Sequence, residues 1–314
     1  MNIQELQSME AQEIRKLCYD QGIKGVSLLK LNKMELIDLI KFKLNLGDEI
    51  KENTETVILS DIKPKLEPEN DYSHKHYLYP KLLKICKLNM EEDAKMNINL
   101  VGPAGSGKST ACHQIANSLN LQFYFISVGQ QTTKSDLLGY MDANGKYVTT
   151  PLRQAYESGG IFLLDEIDAG NANVITVLNA MLANGLAYFP DGQIERHKDF
   201  ICFSAANTYG RGADRLFVGR NQLDAASLDR FIVIDFDYDD ELEFKLANNQ
   251  LWTIYIQQLR LSAWKLKERI VISPRASIYG AKLIRAGFNQ KEVENMVIWK
   301  GVSNDIVNRI KANL

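Results

Sequence analysis

The sequence predicts an α/β protein with a five-stranded parallel sheet covered by helices, and three observations lead to this fold class. Helical stretches of ten or more residues separate most of five short apolar runs, a pattern typical of strands buried on both faces. A glycine-rich loop joins the first run directly to a helical stretch. From about residue 239 onward the strands stop and helical patterns continue alone. The apolar runs are "NINLVG" (97–102), "FYFISV" (123–128), "GIFLLDEID" (160–168), "FICFSAAN" (200–207) and "RFIVIDF" (230–236).

Apolar and charge patterns divide the chain into four predicted units. Residues 1–44 hold two helical patterns and predict a small all-α module. Residues 45–71 carry eight acidic residues, three lysines and two prolines, a composition typical of a flexible linker. Residues 72–238 contain the five strands and form the predicted α/β core. Residues 239–314 hold four helical patterns, the second opening at "SPRAS", and predict a separate helical unit.

Composition narrows the possible partners. The formal net charge of −2 gives no overall attraction to nucleic acid or to an anionic membrane. No apolar window is long enough to cross a bilayer, and the first residues are amphipathic and charged, so we expect neither a membrane span nor a signal peptide. The four cysteines are scattered, which favours reduced thiols and a cytoplasmic protein.

The stretch "GPAGSGKST" carries the strongest chemical signal in the sequence. It fits G-x-x-x-x-G-K-[ST] between a strand and a helix, the context that a phosphate-binding loop requires. Backbone N–H groups and the helix N-terminus would face the phosphates, while Lys108 would reach the β- and γ-phosphates. The predicted phosphate-binding residues are Gly102, Pro103, Ala104, Gly105, Ser106, Gly107, Lys108, Ser109 and Thr110.

Three carboxylates end the third apolar run and complement this loop. Asp165 lies at the carboxyl end of a parallel strand, where it would share a Mg²⁺ ion with Ser109. Glu166 would accept a proton from an attacking water. Asp168 has two possible roles: it orients the residues that bind Mg²⁺ without touching the ion, or it is the N-cap of a helix.

With these residues in place, the chain from about Tyr72 onward resembles the AAA+ ATPases. Gly102–Ser109 and Ile161–Glu166 resemble the Walker A and Walker B motifs of that family. The resemblance implies that Asn207 in "SAANT" is sensor 1, which orients the water. It also implies that Arg275 in "SPRAS" is sensor 2 of the helical lid.

The resemblance further implies an arginine that acts on the site of a neighbouring subunit. Arg230 in "ASLDRF" is the candidate, with Arg220 in "VGRNQLD" as the alternative. A planar, permanent cation suits the charge that develops on a transferred phosphoryl group. A shared site of this kind implies a homo-oligomeric ring, usually of six subunits.

Two turn signals make the MoxR and cobaltochelatase-small-subunit relatives the most similar group, because these carry a hairpin inserted in the second core helix. Asn144-Gly145 lies between short β-prone runs and predicts a two-residue turn, and Asp191-Gly192 lies in an equivalent context. In the family such hairpins line the pore of the ring or face its partner. From the sequence alone, ordinary surface hairpins are the alternative interpretation.

Residues 1–44 resemble SAP and Rho-N-type modules, which often bind DNA or RNA. Their net charge of only +1, from seven basic and six acidic residues, leaves nucleic-acid binding and protein docking both open. The predicted function is a Mg²⁺-dependent ATP hydrolase that remodels a partner, first of all a protein complex. A nucleic-acid motor or loader is the alternative, and an ATP-dependent scaffold with little turnover is a third hypothesis. ATP rather than GTP is expected on family grounds.

Overall fold

In a computed structural model of the chain, the described residues are 9–10, 13–14, 17, 37, 74–213 and 216–314. Most of the predicted N-terminal module (residues 1–44) and all of the predicted linker (residues 45–71) therefore lie outside the described residues. Within the described part, no helix is both long and apolar enough to cross a membrane.

The predicted five-stranded parallel sheet is confirmed. The strands are β1 (Asn97–Val101), β2 (Phe123–Ser127), β5 (Gly160–Asp165), β8 (Phe200–Ala206) and β9 (Phe231–Asp235), and each coincides with one of the predicted apolar runs. They lie in the order β2-β5-β8-β1-β9, and every neighbouring pair is parallel.

Helices cover both faces of the sheet, which explains why its central strands are mostly apolar; Asn97 and Asn99 on β1 and Ser204 on β8 are buried polar exceptions. Successive side chains of a strand point to opposite faces. On β5, Ile161 and Leu163 belong to one buried cluster, whereas Phe162 and Leu164 belong to the other. Burial of such a side chain contributes about 1.5–3 kcal/mol to folding. Along the core, the helices are α1 (Tyr79–Glu92), α2 (Lys108–Ser118), α3 (Lys134–Leu138), α4 (Pro151–Ser158), α5 (Ala172–Ile175), α6 (Val177–Asn184) and α7 (Ala225–Leu228).

The first inserted hairpin forms as predicted, with β3 (Tyr140–Met141) paired to β4 (Tyr147–Val148), but the predicted two-residue turn is wrong. The backbone of Asp142 donates to the carbonyl of Lys146 at 2.8 Å, which leaves three residues in the loop. The carboxylate of Asp142 accepts from two loop amides and stabilises this longer turn. Gly145 takes the left-handed conformation, with φ of 72°, that ends a three-residue loop.

The second hairpin joins β6 (Leu186–Phe189) to β7 (Gly192–Glu195), and its turn also differs by one position from the prediction. Phe189 pairs with Gly192, so the two turn residues are Pro190 and Asp191. Proline fits the first turn position because its φ is fixed near the value that common turns need there.

The C-terminal part is helical, as predicted, but it contains five helices and not four. The extra boundary lies at two asparagines: Asn248 adopts the left-handed conformation after one helix, and Asn249 caps the next by accepting from the backbone of Trp252. "SPRAS" consequently opens the third helix. The five are α8 (Asp240–Ala247), α9 (Gln250–Lys265), α10 (Pro274–Arg285), α11 (Gln290–Val297) and α12 (Asn304–Ala312).

These helices have a hydrophobic core of their own, which includes Trp252, Ile256, Leu259 and Val293. Strand β9 ends at Asp235, and α8 begins at Asp240. We therefore propose a division between a core over residues 72–238 and a helical lid over residues 239–314.

Candidate active site

The loop between β1 and α2 has a backbone that glycine makes possible. Gly105 and Gly107 have φ of 83° and 95°, in the left-handed region that other residues rarely adopt. A Cβ on Gly102 would lie 2.0 Å from the backbone oxygen of Phe236, which cannot move aside. The chain thus curls tightly into the N-terminus of α2, a geometry that presents backbone N–H groups to an anion.

Lys108, the first residue of α2, is the cation of this loop. Its ammonium donates to the carbonyl oxygens of Gly102 at 2.7 Å and Pro103 at 3.0 Å. It also lies 3.3 Å from Oδ1 of Asn207. The residue is 8% exposed, so the charge is held against the loop from which a phosphate would be bound.

Burial lowers the pKa of Lys108 to about 8. The carboxylates of Asp165 and Asp168 oppose this by raising the pKa, whereas the positive charges of Arg220 and Arg275 lower it further. An anion in the loop would supply the negative charge that the buried ammonium lacks.

Ser109 and Asp165 meet as the sequence predicts. The hydroxyl of Ser109 donates to Oδ2 of Asp165 at 2.8 Å. A hydroxyl and a carboxylate are oxygen ligands suited to Mg²⁺. Nearby, the buried hydroxyl of Ser106 has no hydrogen-bond partner within the described part of the chain, so a donor is left for an oxygen-rich ligand. The residues present therefore fit a nucleotide with its magnesium ion.

Glu166 follows Asp165 at a sharp change of chain direction. Its φ of 56° lies in the left-handed region, which is uncommon for a residue with a side chain and concentrates at functional sites. Its N–H donates to Oδ1 of Asp165 at 3.0 Å. The Glu166 side chain is 48% exposed and can therefore reach a water molecule.

Asp168 has a role that the sequence did not reveal. It lies inside the short 3₁₀ turn Ile167–Ala169, whose N-cap is Glu166, so the helix-cap alternative is wrong. Its side chain is fully buried. Its Oδ2 accepts from the N–H of Asn207 at 3.1 Å, and from the N–H and the hydroxyl of Thr208, both at 2.9 Å.

Sheet topology explains how Lys108, Glu166 and Asn207 come together. The strands β5, β8 and β1 are neighbours and parallel, so the residues after each strand lie at one edge of the sheet. Asn207 directly follows β8, and its side chain reaches Lys108 while its backbone is held by Asp168.

The lid and the last residue of the core both contact the phosphate-binding loop. A Cβ on Gly105 would lie 3.0 Å from Cβ of Ser273 and 3.7 Å from Cγ of Arg275. The hydroxyl of Tyr238 donates to the carbonyl of Ala104 at 3.0 Å. Burial raises the pKa of Tyr238 to about 12, which keeps this donor protonated.

The two candidate arginines are found in different places. Arg230 donates from Nε to the carbonyl of Asn179 at 3.1 Å and from Nη1 to the carbonyl of Ala226. Arg220 instead pairs with Asp168 and Glu166 of its own subunit. Neither these pairs nor the Tyr238 contact was predicted, because the partners are far apart in sequence and no motif links them.

Comparisons with known proteins found a matching family model and several relatives. Residues 97–231 match the AAA domain of the dynein-related subfamily. The denitrification regulatory protein NirQ of Stutzerimonas stutzeri is 26% identical, over 67% of this chain and 80% of that protein. The aerobic cobaltochelatase subunit CobS of a Sinorhizobium species is 31% identical, but the alignment spans only 42% of this chain and 43% of the subunit. Among solved structures, the RuvB Holliday junction branch migration motor of Thermotoga maritima is 18% identical with a TM-score of 0.44, over 74% of this chain and 67% of that one.

Proposed function

The chain belongs to the AAA+ ATPases, in the MoxR-like group that its sequence predicts, and from this premise we propose that it hydrolyses ATP with Mg²⁺. We further propose that it acts as a homo-oligomeric ring which remodels a partner, most simply a protein complex. One observation carries the hydrolysis proposal: Lys108, the Ser109–Asp165 pair, Glu166 and Asn207 converge at one edge of the sheet.

Each residue of this group has a role that its position supports. The ammonium of Lys108 exchanges its loop carbonyls for phosphate oxygens. Ser109 and Asp165 would hold Mg²⁺, which would neutralise phosphate charge when bound. Glu166 accepts the proton of the attacking water, and the amide of Asn207 orients that water. Arg275, at the start of α10, adds positive charge from the lid.

Replacement of Lys108 tests the phosphate site. We expect Lys108→Ala to weaken nucleotide binding by about 10- to 100-fold, because a charge-assisted hydrogen bond inside a partly buried site is lost. Titration with a fluorescent ATP analogue would measure this. Lys87→Ala, which removes an exposed lysine from α1, is the matched control. Equal affinity in Lys108→Ala and wild type would contradict the phosphate role, and activity that survives a magnesium chelator would contradict the proposed reaction.

Exposed apolar side chains on the two inserted hairpins support a partner protein. The first hairpin exposes Tyr140, Met141 and Val148, and the second exposes Tyr188, which is 72% accessible. Clustered apolar side chains at a surface mark interaction sites. The cobaltochelatase relative is, by its name, one subunit of an enzyme. This agrees with the proposal that the present chain acts together with another protein.

Arg153 on α4 links the two hairpins into one surface. Its guanidinium pairs with Asp191 in the turn of the second hairpin at 2.5 Å. It also stacks over the rings of Tyr147 in the first hairpin and Phe189 in the second. The residue is 6% exposed, so the link is shielded from solvent. The hairpins are thus suited to contact a partner together.

We expect ATP with Mg²⁺ to drive the chain into a closed ring, of six subunits by family resemblance. An arginine of the neighbouring subunit would complete each nucleotide site. Nucleotide binding would therefore stabilise the ring, and ring formation would strengthen nucleotide binding. Light scattering coupled to sizing, with and without nucleotide, would measure the mass. A strictly monomeric protein whose specific activity does not depend on its concentration would contradict the shared site.

The alternative of a nucleic-acid motor or loader depends on residues 1–44, which lie largely outside the described residues. It stays a prediction, as does the ATP-dependent scaffold.

A further inference from the structure

Arg220 joins two carboxylates of the same turn. It lies in the segment between β8 and α7, and its side chain is 13% exposed. Nη1 donates to Oδ1 of Asp168 at 3.2 Å, while Nη2 lies 3.5 Å from Oε1 of Glu166. One planar guanidinium thus contacts a fully buried carboxylate with one nitrogen and a half-exposed carboxylate with another.

Asp168 fixes Arg220 in place. A buried carboxylate needs a compensating cation. Among the residues that the structure describes, the other hydrogen-bond donors to Asp168, from Asn207 and Thr208, are neutral. Movement of Arg220 towards another subunit would leave Asp168 buried without the arginine that donates to it. The structure therefore argues for Arg220 as a residue of its own site, and against the alternative that it is the arginine given to a neighbour.

The backbone around Arg220 is tied to the same turn. The N–H of Asn221 donates to the carbonyl of Asp168 at 2.7 Å, and its side-chain amide donates to the carbonyl of Gly170 at 2.8 Å. These hydrogen bonds hold the segment that carries Arg220 against the turn. The position of the guanidinium therefore does not depend on its ion pairs alone.

Glu166 gains an orientation from this arrangement. A half-exposed glutamate has several free rotamers, and a general base is effective only when it is held within hydrogen-bond reach of the water. Resting on the proposed hydrolysis, we propose that Arg220 is the positioning residue that aims Glu166, with buried Asp168 as its anchor. The same Asp168 carboxylate accepts from the backbone N–H of Asn207. One buried carboxylate thus positions both Glu166 and Asn207, the two residues proposed to contact the attacking water.

The test is a double-mutant cycle with Arg220→Lys and Glu166→Ala. Lysine keeps the positive charge beside Asp168, so folding should be retained. Its single ammonium cannot contact the carboxylates of Asp168 and Glu166 at the same time, as the planar guanidinium does. Alanine is used at position 166 because a glutamine amide could still accept from Arg220. We expect Arg220→Lys to bind ATP and assemble as the wild type does, while kcat falls by about 10- to 100-fold, the effect of a misplaced catalytic group.

In the Glu166→Ala background, Arg220→Lys should cause no further loss, because the group it orients is gone. Arg309→Gln, which removes an exposed arginine that pairs with the largely buried side chain of Glu268, is the control for loss of a surface arginine. The proposal is overturned if the two losses multiply, if Arg220→Lys keeps the wild-type rate, or if it raises the rate. A wild-type protein that binds ATP without hydrolysing it would instead refute the proposed function, and the positioning role would fall with it.

Discussion

Glu166→Gln is expected to hydrolyse ATP about 10²- to 10⁴-fold more slowly than the wild type, because the amide cannot accept the proton of the attacking water. Nucleotide binding should remain, since the phosphate-binding loop and the Ser109–Asp165 pair are untouched. The glutamine is close in shape to glutamate and can still accept from Arg220, so the fold should be kept.

Phosphate release under single-turnover conditions, with ATP binding measured in parallel, separates chemistry from affinity. Glu91→Gln, an exposed glutamate of α1, is the matched control. Hydrolysis by Glu166→Gln at the wild-type rate would show that another group is the base. The same variant would hold the ATP-bound ring together, so a pull-down with it is the most direct route to the partner.

Much of the fold could be predicted because its strands have an unambiguous composition. A central parallel strand is buried on both faces, so most of its positions are apolar, and turn residues mark where it ends. The convergence of Lys108, Asp165 and Asn207 was also predictable. A phosphate-binding loop requires a strand before it and a helix after it, and parallel neighbours end at one edge.

The details that could not be predicted depend on tertiary contacts or on single backbone angles. Arg220 and Asp168 are 52 residues apart, and no local pattern indicates that they pair. The break between α8 and α9 depends on the left-handed conformation of Asn248, which a continuous helical pattern conceals. The longer turn of the first hairpin depends on the side chain of Asp142, which competes for the loop amides.

Arg230→Ala is expected to lower turnover by about 10³-fold or more, within the range of arginines that stabilise phosphoryl transfer from a neighbouring subunit. In a single subunit Arg230 contacts the carbonyls of Asn179 and Ala226 and is not bonded to the residues around Lys108. That placement agrees with a residue that serves another site. ATP binding by each subunit should be nearly unchanged, because the loop residues are intact.

A mixing experiment tests whether Arg230 acts across the subunit interface. Arg230→Ala subunits have an intact phosphate-binding loop, and Lys108→Ala subunits have an intact Arg230, so each variant lacks what the other supplies. If the arginine acts in trans, randomly mixed rings regain about a quarter of the active sites, since each functional site needs one subunit of each kind in the right order. Mixtures as inactive as the separate variants would place Arg230 in its own site, or in the fold alone. A melting temperature equal to that of the wild type then distinguishes these two, because a structural arginine stabilises the carbonyls it contacts whether or not nucleotide is present.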